Sequence, residues 1–74
     1  MRSDAPSLVQ LAALVAVVDE GGFDAAGYAL GVSTSAVSQR IRALESTMGH
    51  VLVARSTPPR ATAAGEAVLA AARQ

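Results

Sequence analysis

Seventy-four residues hold one small domain, and a core of that size is marginal unless the helices pack well or another chain helps. Half of the chain, 51%, is hydrophobic, much of it alanine, with only Phe23 and Tyr28 aromatic, a composition that favours packed helices. Six cations balance six carboxylates, cysteine is absent and His50 is the single histidine, which leaves a disulfide framework or a zinc site without ligands; no metal or cofactor is expected.

Zero formal charge argues at first against nucleic acid, because phosphate contacts usually come with a basic surplus. The distribution argues otherwise. Before Val37, Arg2 stands against Asp4, Asp19, Glu20 and Asp24; after it, Arg40, Arg42, Arg55, Arg60 and Arg73 stand against Glu45 and Glu66. Every cation is arginine, whose planar fork suits phosphate and guanine.

In chain order, Ser7 followed by Gln10 reads as a capping box, and Leu8, Leu11, Val15 and Val18 recur at helical spacing, predicting a first helix over 8–20 that Gly21-Gly22 stops. The apolar run within it is interrupted by Gln10, followed by Asp19-Glu20 and too short to cross a bilayer, so a cytoplasmic chain with no membrane partner is expected. Phe23 then folds back as a core plug, and Asp24 caps a short second helix that Gly31 closes. Gly27 costs about 1 kcal/mol relative to alanine there, but its missing side chain permits close approach of the next helix.

Gly31-Val32-Ser33 makes a three-residue connection, with Ser33 as the following cap; two helices joined so tightly form a helix-turn-helix. In the third helix, about 34–48, Val37, Ile41, Leu44 and Met48 share one face. Thr34, Ser35, Ser38, Gln39 and Arg42 fall beside that stripe and present hydroxyl, amide and guanidinium groups outward, which suits base edges. After Gly49, Val51-Leu52-Val53 and Ala61-Thr62 flank the polar segment Arg55-Ser56-Thr57-Pro58-Pro59-Arg60, predicting a short two-stranded wing with a stiff tip that holds Arg55 and Arg60. Thr62 caps a last helix whose stripe of Val68, Leu69 and Ala72 is still running at Gln74, as in a linker helix that pairs with another copy and is cut short.

Phe23-Asp24-Ala25-Ala26, Val32-Ser33, Ser35-Ala36-Val37-Ser38, Ile41-Arg42-Ala43-Leu44-Glu45, Gly49, Arg55 and Thr62-Ala63-Ala64-Gly65 resemble, in order and spacing, the DNA-binding domain of LysR-type transcriptional regulators. Ser35 to Ile41 together with Pro58-Pro59-Arg60-Ala61-Thr62 is similar to the LysG/ArgP branch, which controls export of basic amino acids. The resemblance implies a mainly α, winged helix-turn-helix of three helices and a two-stranded wing over 1–61, then the start of a dimerisation helix over 62–74. It also implies a homodimer through that helix (full-length members are often tetramers), and a small-molecule effector bound only by a C-terminal domain outside this chain. Where the family often has Phe and Leu, this chain has Val53 and Ala61, so looser wing packing is expected; where many members have Gln-Pro it has Thr34-Ser35.

Residues at the start of a recognition helix reach bases, which makes Thr34, Ser35, Ser38 and Gln39 the candidates for direct readout of double-stranded DNA. Ser33, Arg40, Arg42, Arg55 and Arg60 are assigned to the DNA backbone or groove, a role that sets register. The bland readings are a plain first helical turn for Thr34 and Ser35, a cap for Ser33 and a solvated face for each arginine, the last being retained for Arg73. Phe23 and Tyr28 read as core or near-core packing, His50 as surface, and Glu45 as a structural partner of Arg42 or of a wing amide. A helical interaction module without DNA binding is the alternative function. An enzyme ranks below both, since no nucleophile-base pair, phosphate loop or usably spaced carboxylate pair is present.

Overall fold

The computed structural model describes residues 6–74, so the expected charges of Arg2 and Asp4 lie outside the described residues. The order is α1 (Leu8–Glu20), α2 (Phe23–Leu30), α3 (Thr34–Met48), β1 (Val53–Ala54), β2 (Arg60–Ala61) and α4 (Ala63–Ala72). Helices α1, α2 and α3 pack mutually, the two strands form an antiparallel hairpin, and α4 returns against α1 and β2.

Local chemistry sets most boundaries. Ser7 and Gln10 form the reciprocal capping box on α1, while Gly21, Gly31 and Gly49 end α1, α2 and α3 in the left-handed conformation that a side chain disfavours. Ser33 Oγ accepts from the Ala36 amide at 3.1 Å and starts α3. The start of α2 differs from expectation: Gly22, not Asp24, occupies the cap position, without a side-chain bond. Phe23 already packs against the core as the first helical residue, which moves Asp24 into the first turn, where a carboxylate complements the helix dipole.

The core comprises Ala13, Leu14, Ala16 and Val17 of α1, Ala26 of α2, Val37, Ile41 and Leu44 of α3, Leu52, Val53, and Leu69 of α4. The stripe of Leu8, Leu11, Val15 and Val18 is not the most deeply buried side of α1. Leu8 is 84% exposed, and Leu11, Val15 and Val18 only flank the core. A helix that is apolar nearly all round carries no periodic signal strong enough to choose its buried side, and the small Ala13 and Ala16 let neighbours approach closely. Tyr28 is also corrected: at 92% exposed it projects away from the side of α2 that buries Ala26 and Gly27. Met48, expected on the buried stripe, is 36% exposed in the last turn of α3.

The hairpin pairs Val53 with Ala61 and Ala54 with Arg60, so the ladder is shorter than the β-branched run suggests; Val51 is exposed and lies outside it. Val53 is fully buried despite being smaller than the phenylalanine the resemblance leads one to expect. Glu45 is the reason the chain turns into the wing at this place: its Oε2 accepts from the amides of Leu52 at 2.8 Å and Val53 at 3.3 Å. Thr62 closes the far end. Its hydroxyl donates to the Val51 carbonyl at 2.7 Å and accepts from the Gly65 amide at 3.0 Å, capping α4.

Candidate nucleic-acid interface

Successive residues of α3 turn by about 100° around its axis. With Val37, Ile41 and Leu44 fully buried, that rotation puts Thr34, Ser38 and Arg42 on one flank and carries Ser35 and Gln39 to the outermost side. Thr34, Ser35, Gln39 and Arg42 are exposed and Ser38 is half-buried. Arg40 is half-buried and falls on the opposite flank from Ser38 and Arg42, apart from the other candidate contact residues of α3. Ser33 acts as the helix cap while remaining exposed.

The turn before α3 is compressed. The Val32 amide donates to the Gly27 carbonyl at 2.9 Å, and a Cβ on Gly27 would come within 2.8 Å of the Val32 carbonyl oxygen and 3.4 Å of the Thr34 nitrogen. Absence of a side chain at Gly27 therefore sets how near the first residue of α3 sits to α2. That nearness has a polar consequence: the Thr34 hydroxyl donates to Asp24 Oδ1 at 2.7 Å.

The wing joins the same corner through an aromatic ring. The Arg55 guanidinium carbon lies 4.8 Å from the centroid of the Phe23 ring, within cation–π range. Phe23 and Asp24 are adjacent, so the first two residues of α2 connect the wing arginine to the first residue of α3. Ring stacking restricts the long arginine side chain before any ligand arrives. Arg60 is exposed in β2, and Arg42 is exposed on α3. Arg73 forms an ion pair with Asp19 at 2.6 Å that links the end of α4 to α1, and both side chains stay half-exposed to solvent. Phe23 and Asp24 were not legible as site residues: a plug and a cap explain them in sequence, and no local pattern announces a bond spanning ten positions.

This arrangement offers a helix with a polar flank, beside a wing bearing arginine. The model of bacterial regulatory helix-turn-helix proteins of the lysR family matches residues 8–66. The chain belongs to the lysR family.

This lysR-family chain is 52% identical over 66 residues to the lysine export transcriptional regulatory protein LysG of Corynebacterium glutamicum, covering 89% of the chain and 23% of LysG. It thus spans about a quarter of the length of that relative. The crystal structure of ArgP from Mycobacterium tuberculosis superposes with a TM-score of 0.90 at 54% identity, covering 95% of this chain and 27% of ArgP. The CbnR DNA-binding domain, solved as a complex with DNA, superposes at 0.86 with 38% identity, covering 90% of this chain and 78% of that one. The winged helix-turn-helix architecture and the likeness to the LysG and ArgP regulators are thereby established. Among the described residues, no helix is long and apolar enough to cross a membrane.

Proposed function

We propose that this chain is the DNA-binding part of a LysR-type transcriptional regulator and binds double-stranded DNA sequence-specifically, with α3 in the major groove. One observation carries the reading: the polar flank of α3 stands open while Val37, Ile41 and Leu44 of its apolar face are fully buried, in a fold shared with a domain solved on DNA. Thr34, Ser35, Ser38 and Gln39 read bases, Gln39 having the amide that pairs bidentately with adenine. Ser33, Arg42, Arg55 and Arg60 hold the backbone or adjacent groove, and Arg40, on the opposite flank, is left the other groove wall.

Residues 1–61 form the reading unit and 62–74 begin the dimerisation helix. Helix α4 serves both, since Leu69 closes the core while its outward residues remain exposed. Beside its end, Leu8, Leu11, Val15, Leu30 and Ala72 line an open apolar groove, which supports pairing with a second copy and hence a two-fold symmetric DNA site. Control of basic amino-acid export, with an effector sensed in a separate domain and action in the cytoplasm at the nucleoid, is the physiological role that likeness to LysG supports.

The test is selection of bound duplexes from a random pool, followed by affinity measurements over a salt series. DNA binding predicts an enriched half-site and a steep fall of log K with log salt. Absence of enrichment together with salt-insensitive binding would leave the helical interaction module as the function.

A further inference from the structure

We infer that Asp24 sets the base preference of the recognition helix by taking the only proton that Thr34 can donate; the inference rests on the DNA-binding reading above and deepens it. A threonine hydroxyl has one donor and two acceptor lone pairs, whereas a carboxylate only accepts. In the observed bond, Thr34 Oγ1 donates to Asp24 Oδ1 at 2.7 Å. What remains for a partner on the Thr34 side chain is its lone pairs, and the second oxygen of Asp24 adds more of the same kind. The first residue of α3 and the first turn of α2 therefore present a corner of hydrogen-bond acceptors.

In the major groove, donor groups on base edges are the exocyclic amines of adenine and cytosine, while guanine and thymine place a keto oxygen at the same ring position. An acceptor corner favours the amine and rejects the keto oxygen, because two facing lone-pair sets leave both groups unsatisfied. The backbone places the two residues within reach of each other. Gly27 brings the Thr34 backbone close to α2, and Arg55 stacks on Phe23, the neighbour of Asp24. The assigned specificity is adenine or cytosine on the strand that Thr34 faces, with guanine and thymine excluded.

The experiment uses the whole chain and three variants, Thr34→Val, Asp24→Ala and Thr34→Ser, each checked for a native thermal transition. Duplex selection with the parent and Thr34→Val identifies the base pair whose preference depends on the hydroxyl. At that pair the parent should show adenine or cytosine on one strand, and a transition mutation, which exchanges amine for keto oxygen in place, should weaken it about tenfold. Asp24→Ala releases the proton, so the same transition should then cost less than about threefold. Thr34→Ser retains the hydroxyl and should retain the preference for amine over keto oxygen that Thr34→Val loses.

Several results would overturn the inference while leaving DNA binding standing: no position depends on Thr34, the dependent position is guanine or thymine on the facing strand, Asp24→Ala discriminates as the parent does, or Thr34→Ser loses the preference. Failure of the parent to enrich any duplex would remove the DNA-binding reading and this inference together.

Discussion

Two junctions of the molecule use the same parts for opposite ends. At the α2–α3 turn, Gly27 admits a backbone carbonyl, and Asp24 reaches across to a hydroxyl on the exposed flank of α3. Where α3 passes through the wing into α4, Gly65 admits the Leu52 carbonyl, and Glu45 reaches across to two amides. The difference is burial: Glu45 is half-buried and satisfies backbone groups that would otherwise lack partners, whereas Asp24 is exposed and could leave its bond to water at little loss. A carboxylate in the first setting is a component of the fold. In the second its effect is to decide which hydrogen-bonding groups a ligand meets.

The contrast is broken most severely by Gly65→Ala. The Leu52 carbonyl oxygen already occupies the space of the new Cβ and is itself held by the Thr62 amide, so relief requires moving the wing. A loss of about 3 kcal/mol or more is expected in urea unfolding. Gly27→Ala should cost distinctly less, because its Cβ would approach the Val32 carbonyl oxygen only to 2.8 Å, while the helix-propensity return of about 1 kcal/mol is common to both positions; equal losses would show that the two close approaches are equivalent. Glu45→Ala should follow, with a stability loss of about 1–3 kcal/mol from two abandoned amides and no change in the ranking of DNA sequences bound by the folded protein.

On the reading side, Gln39→Ala or Ser38→Ala should leave the unfolding midpoint in place and cost roughly 1–3 kcal/mol on the preferred duplex; an equal loss on a scrambled duplex would dismiss either side chain as a reader. Arg60→Ala should weaken binding to all sequences and reduce the salt slope by about one unit, a change that a competition assay across ionic strengths resolves. Smallest is Arg73→Ala. Its half-exposed pair with Asp19 should be worth less than about 1 kcal/mol and vanish in high salt.

The sequence alone determined the elements and most helix ends, the start of α2 excepted, because caps and stops are written in a few adjacent residues: Ser7 with Gln10, Ser33 before α3, Thr62 before α4, and glycines at three helix termini. It determined the buried stripe of α3 as well, since polar residues on the other side leave one choice of face. Only the tertiary structure decided which side of the all-apolar α1 is buried, that Phe23 lies beneath Arg55, that Arg73 meets Asp19, and that Asp24 serves Thr34 instead of capping its own helix. Each of those depends on where a second element is placed in space, and residues ten or more positions apart carry no local periodicity that encodes their meeting.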